Sequence, residues 1–156
     1  MRRVSNQTQR TDDKQRGVAA VEFAIVLLLL AILLMGILEV GSIARDYQVL
    51  QNAAREGARF SAMPANQMEN AQDPNLVLQT IQNRVVDYLQ RENITVAAGN
   101  INVDQTYPVQ IGALTVQGSR VTITYTRPLI FSGATSLIPS LGSLPLVGNA
   151  LFRNFY

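Results

Sequence analysis

The strongest constraint on this chain is a continuous apolar segment near its N-terminus. Residues 18–38 are 21 residues with a single charged side chain, Glu22. At about 1.5 Å of rise per residue, a helix of this length measures about 31 Å, which matches the hydrocarbon core of a bilayer at about 30 Å. The segment therefore predicts a transmembrane helix. The part of the 156-residue chain that follows this segment is long enough to form one domain with a modest hydrophobic core.

The distribution of charge predicts the orientation of this helix. Residues 18–156 carry eight basic and nine acidic side chains, so the net charge of +2 comes from the leader, residues 1–17. Its charged residues are Arg2, Arg3, Arg10, Lys14 and Arg16 against Asp12 and Asp13. Because a positively charged flank stays in the cytoplasm, we expect the N-terminus inside and the C-terminal domain outside, in a bacterium the periplasm.

The apolar segment is longer than that of a secretory signal peptide, which runs about 7 to 15 residues. We therefore expect the helix to be retained and any cut to fall in front of it, near Gly17. The motif "RGVAAVEF" resembles the class III signal of type IV prepilins and pseudopilins. That resemblance implies cleavage between Gly17 and Val18 by prepilin peptidase. A flexible hinge before a helix is the alternative explanation of Gly17.

Glu22 is unusual because acidic side chains inside membrane spans are rare and have a partner within reach. Cleavage at Val18 would create an α-amino group one helical turn from Glu22, and a neighbouring subunit could present its own. The alternative is that Glu22, about 7 Å into the span, reaches back to the lipid headgroups.

The helix pattern continues past the span as an amphipathic extension, residues 39–63. One face carries Ile43, Tyr47, Leu50, Ala54 and Ser61, and another carries Arg45, Gln48, Asn52, Arg55 and Arg59. Four small residues, Ala53, Ala54, Gly57 and Ala58, allow another backbone to approach closely. Two partners fit this stretch equally: the chain's own sheet, or a neighbouring subunit.

Residues 16–62 as a whole resemble the TadE-like family, pseudopilin-like proteins of tight-adherence (Tad, Flp) pilus systems. The residues that carry the resemblance are Gly17, Glu22, Phe23, Glu39 and "NAAREGAR" at 52–59. It implies a minor pilin of the bacterial inner membrane that is processed by prepilin peptidase. It also implies other pilin or pseudopilin subunits and inner-membrane pilus assembly proteins as partners. Flp-type major pilins carry tyrosine where this chain has Phe23, which disfavours a major-subunit role.

Residues 64–156 predict an α+β domain that is pilin-like, with a second helix and a small antiparallel sheet. Asp73 and Pro74 are typical of a helix start, and apolar residues at helical spacing follow until the predicted end near Glu92. Alternating runs at 93–97, 101–107, 114–117 and 120–126 predict strands, with a hairpin turn at Gly118 and a last strand at 144–152. The uncharged tail, residues 128–152, contains too many glycines and prolines for a second span. It either covers the domain's own sheet or contacts a membrane or partner.

The composition argues against catalysis. The chain has no histidine and no cysteine, which removes the commonest general base, the commonest metal ligand and the thiol nucleophile. We expect no enzyme activity, no cofactor, no metal and no small-molecule substrate. Basic residues beyond the span are dispersed, so we expect no nucleic-acid binding. Two functions remain: a processed minor pilin or pseudopilin, or an unprocessed, single-span membrane-anchored adaptor of a secretion or envelope complex.

Overall fold

The computed structural model describes residues 7–64, 73–129 and 142–154, with side chains from residue 17 onward. In chain order the elements are the helices α1 (Gln7–Ser61) and α2 (Pro74–Arg91), a one-turn 3₁₀ helix (Ala98–Asn100) and the strands β1 (Ile101–Ile111), β2 (Leu114–Pro128) and β3 (Ser143–Arg153). The predicted α+β fold, with a long apolar helix, a second helix and an antiparallel sheet, is confirmed. The chain divides into two units, Met1–Gly41 and Ser42–Tyr156.

The first unit contains the apolar part of α1. Its large apolar side chains between Val18 and Val40 are exposed, at 68% for Val18 and 67% for Val40. A helix with so much exposed apolar surface is not stable in water, so its length and composition make it a candidate membrane span. One N-terminal apolar helix of this kind fits a membrane anchor.

In the second unit, α2 begins and ends where the sequence predicts. The Asp73 side chain accepts a hydrogen bond from the Asn75 backbone N–H at 2.9 Å, and Pro74 occupies the first turn, where its missing N–H has no consequence. The helix stops at Arg91, with Glu92 as its C-cap. Its buried stripe is Val77, Ile81, Val85 and Leu89.

The sheet is a three-stranded antiparallel meander in the order β1-β2-β3. Ile111 pairs with Leu114, so the β1–β2 turn consists of Gly112 and Ala113. Gly112 has φ of 62°, which a type II′ turn requires at its first central residue and which glycine adopts without strain. The predicted last strand is confirmed as β3.

Two predictions about the sheet are wrong. Gly118 is not a turn: it pairs with Tyr107 and Arg153 inside β2, which joins the two predicted runs 114–117 and 120–126 into one strand. A glycine is needed there because a Cβ would lie 2.8 Å from the Phe152 carbonyl oxygen. Residues 93–97 are not a strand either. Ile94 and Val96 are buried in alternation, as predicted, but none of the three described strands pairs with them.

The core of the second unit depends on a close approach of α1 to the sheet. A Cβ on Gly148 of β3 would lie 2.6 Å from the Leu50 carbonyl oxygen, and one on Gly57 would lie 2.5 Å from Val85 Cγ2 on α2. Leu50 has no exposed surface. Tyr47, which the sequence placed on the buried face, is 47% exposed, because the face turned inward runs through Asp46 and Val49 instead.

We expect Gly148→Ala to destabilise the domain by about 1 to 3 kcal/mol, because the new methyl group overlaps helix backbone that cannot rotate away. The measurement is thermal and denaturant unfolding of the full chain in detergent. Gly99→Ala is the matched control, since a Cβ there meets nothing within 4 Å. Equal stability of the two variants would contradict the close approach.

Candidate functional site

The predicted processing residues lie on the first unit's helix. Val18 and Phe23 are 68% and 62% exposed, and Glu22 is exposed as well. Among the described residues, a Cβ on Gly17 would meet nothing within 4 Å, so packing in this part of the chain does not require a glycine here. The helix is continuous through Gly17, and the Gly17–Val18 peptide bond is therefore helical in the uncut chain.

The spacing of these residues brings two groups together. Val18 and Glu22 are four residues apart in one helix, so the Val18 backbone nitrogen and the Glu22 carboxylate lie along the same face, one turn apart. Among the described side chains, the ion pairs are Arg45–Glu92, Arg84–Glu56 and Arg127–Asp46, and none includes Glu22. The described part of the helix thus presents an acid in an apolar surface without a basic side chain beside it.

The small residues of α1 are used inside the second unit. Ala53, Ala54 and Ala58 have no exposed surface, and Gly57 is buried against Val85 of α2 and Val121 of β2. Of the two partners that fitted this stretch equally, the structure places the chain's own helix and sheet against it. These residues are not available to a neighbouring subunit in this arrangement.

The acidic residue of "NAAREGAR" has a structural role too. The Arg84 guanidinium of α2 donates two hydrogen bonds to Glu56 Oε1, at 2.8 and 3.1 Å, and lies over the Phe60 ring at 4.8 Å. The segment 52–59 therefore fixes α2 to α1, through close packing on one side and a charge pair on the other. Arg55 and Arg59 remain exposed.

A buried ion pair, which the sequence patterns above did not predict, joins α1 to β2. Arg127 Nε lies 3.1 Å from Asp46 Oδ2, and the two side chains are only 9% and 12% exposed. Arg127 also donates a hydrogen bond to Ser42 Oγ at 2.8 Å. A signal was present: Arg127 continues the alternation of Val121, Ile123 and Tyr125, which places it on the buried face of β2.

A second polar cluster fixes the C-terminal end of α1. The buried hydroxyls of Ser61 and Ser119 are hydrogen-bonded, and the Gln105 side chain donates to the Ser61 carbonyl at 3.4 Å. Asn154 Nδ2 donates to the Gln105 carbonyl at 2.9 Å. These contacts connect α1, β1 and β2 with Asn154, the residue that follows β3. The described residues contain no group of three or more acidic, histidine or cysteine side chains placed to hold a metal ion.

Comparison with known proteins gives a match to a family model. The family model described as TadE-like protein matches residues 17–59, about a quarter of the chain. No curated protein and no solved structure matches the chain. Residues 17–59 are therefore TadE-like, as the sequence motif predicted, which indicates a protein associated with the membrane and with the assembly of a tight-adherence pilus.

Proposed function

We propose that this chain is a minor pilin or pseudopilin of a tight-adherence pilus, anchored in the bacterial inner membrane and processed by prepilin peptidase between Gly17 and Val18. The observation that carries the proposal is Glu22, an exposed acid within an apolar helix, one turn from the proposed new N-terminus. The family match begins at Gly17, at the proposed site, which supports the same assignment.

Processing requires the helix to open at the scissile bond, because a protease binds its substrate in an extended form. Glycine weakens a helix interior by about 1 kcal/mol relative to alanine, and its missing side chain leaves the peptide bond accessible. A Cβ on Gly17 would meet nothing within 4 Å, so a larger residue fits the chain itself. A larger residue at this position would therefore be excluded by the binding cleft of the peptidase, not by the chain.

The cut changes the electrostatics of the helix. The new α-amino group of Val18 is a cation on the same face as the Glu22 carboxylate. A lone carboxylate in hydrocarbon costs several kcal/mol, and a nearby cation offsets part of that cost. The partner is the chain's own amino group or that of an adjacent subunit. In the second case, the pair fixes the axial position of one subunit relative to the next.

The domain outside the membrane has a structural role in this proposal, with no catalytic function. The positive leader keeps the N-terminus in the cytoplasm, where the peptidase acts, and places the second unit in the periplasm. Its small-residue packing and buried polar contacts favour a rigid body attached to the helix. Such a body suits a subunit that joins or primes a filament.

Gly17→Leu should leave the uncut precursor as the main species, with at least a tenfold loss of processed chain, because the peptidase cleft no longer accommodates the backbone. The measurement is the intact mass of the chain purified from membranes. Gly36→Leu is the matched control, since it also adds a side chain to an open glycine of the same helix. A wild-type chain that retains Met1 would support the unprocessed adaptor instead.

Glu22→Gln should be cut normally and yet reduce surface pili at least tenfold, because the side-chain shape is kept and only the charge for the Val18 amino group is lost. Pili sheared from the cell surface are quantified beside the processed mass. Asp87→Asn, at an exposed acid of α2, is the matched control. Normal piliation by the Glu22 variant would show that the carboxylate is dispensable.

A further inference from the structure

One surface of the second unit has no role in the fold or in the proposed processing: the outer face of the sheet at the β1–β2 hairpin. Residues 105–119 contain no charged side chain. β3 pairs with β2 only from Gly118 onward, so the hairpin extends beyond the third strand. Its exposed apolar residues include Ile111 at 50% and Leu114 at 72%.

A β-bulge places these side chains on the outer face. Before the bulge, Ile101 and Val103 of β1 lie on the core face, opposite Ile123 and Val121. The register then shifts between Asp104 and Tyr107, which reverses the alternation. Tyr107 and the alternate residues after it therefore face away from the helices. They form a contiguous apolar surface, the outer strip: Tyr107, Val109, Ile111, Leu114, Val116 and Leu151.

The bulge is held by several contacts. The Asp104 carboxylate accepts hydrogen bonds from the Thr106 N–H at 3.1 Å and the Thr106 hydroxyl at 3.2 Å. Gln105 is fixed on the core side by Ser61 and Asn154. A Cβ on Gly118 would lie 2.7 Å from Val109 Cγ2 and 3.2 Å from Leu151 Cδ1, so the apolar side chains close over this glycine.

Within the described part of the chain, no element covers the outer strip. Ile111, Leu114 and Leu151 all remain exposed there.

We propose that the outer strip pairs with the outer strip of a second copy of this chain. Six large apolar side chains are exposed in the described part of the second unit, and four of them lie on this sheet face: Ile111, Leu114, Val147 and Leu151. The other two, Tyr47 and Leu76, lie on different helices. On the described surface of the second unit, the largest exposed apolar area available to the strip is therefore the same sheet face of another copy.

The charges beside the strip are self-complementary. Asp104 and Arg120 pair across β1 and β2 on the outer face, and Arg120 lies over the Tyr107 ring at 4.0 Å. In a twofold-symmetric dimer, the same surface of each copy forms the contact. The Arg120 of one copy can then face the Asp104 of the other. The uncharged hairpins bring no like charges together.

The size of the strip predicts a weak contact. Two strands wide over most of its length and about five residues long, it covers on the order of 150 Å², against about 800 Å² per partner in a stable dimer. Two copies held in one membrane have a high effective concentration, which makes a contact of this size sufficient. This inference depends on the membrane anchor and not on processing, so it goes beyond the proposed function.

The absence of cysteine allows a direct test by disulfide cross-linking of the full chain in phospholipid vesicles. Ile111→Cys should form a dimer on mild oxidation with at least about five times the yield of Thr115→Cys, whose side chain lies on the other face of the same hairpin. Yield should fall as the vesicles are diluted with lipid. Equal yields at the two positions would mean random collision and would overturn the proposal.

Two further sets of variants test the surface itself. Leu114→Lys, added to Ile111→Cys, should lower the dimer yield at least about fivefold, whereas Leu76→Lys on α2 should leave it unchanged. Arg120→Asp should lower the yield as well, because the Arg120 of one copy no longer meets the Asp104 of the other. Unfolding curves for each variant show whether the domain is intact. No effect of Leu114→Lys in an intact domain would contradict pairing of the two strips.

Other occupants give different results. Protection of the Ile111→Cys thiol from a membrane-impermeant maleimide at high lipid dilution would assign the strip to lipid. Cross-linking in bacterial membranes to another protein alone would assign it to a different partner. Both results would overturn pairing with a second copy. The uncut Gly17→Leu variant should cross-link as well as the processed chain, so this experiment and the test of processing fail independently.

Discussion

The domain depends on how closely the helix α1 approaches the sheet. Gly148 lets the Leu50 backbone lie directly against β3, and Gly57 lets α2 and β2 close on the same stretch of helix. Ala53, Ala54 and Ala58 fill the remaining space without exposed surface. Large side chains at any of these positions would separate the layers. Because the contact is made by backbone and methyl groups, it leaves little freedom for the helix to slide or rotate on the sheet.

Polar contacts then fix both ends of this packed stretch. Arg127 reaches from β2 to Asp46 and Ser42 at one end, and Ser119 meets Ser61 at the other. A buried ion pair adds little net stability compared with apolar residues, but breaking it by removing one partner costs about 3 to 5 kcal/mol. Such a pair penalises every alternative register in which one charge would be buried alone. The pair and the serine contact thus specify where along the helix the sheet sits.

The TadE-like stretch therefore combines two kinds of residue. From residue 52 onward, its small and acidic side chains are explained by the packing of one domain, since they meet α2 and β2 of the same chain. Gly17 and Glu22 have no such explanation, because neither contacts a described side chain that would require it. Residues that the fold does not require are the ones to test for processing and assembly. The outer strip on the sheet is a third case, built by a bulge and left uncovered by the described chain.

Local patterns in the sequence determined the elements that depend on neighbouring residues. The apolar length of residues 18–38 is enough to indicate a candidate span, and Asp73 with Pro74 is enough to start α2, because the first depends on about 20 consecutive residues and the second on a single turn. The proposed processing motif at Gly17 and Glu22 is equally local. Tertiary structure decided the features that depend on distant residues. Gly118 lies in a strand and not in a turn, and residues 93–97 have no partner among the described strands. On α1, Asp46 is buried and Tyr47 is exposed. Each follows from residues far along the chain, Phe152 for Gly118 and Arg127 for Asp46, whose positions no local pattern encodes.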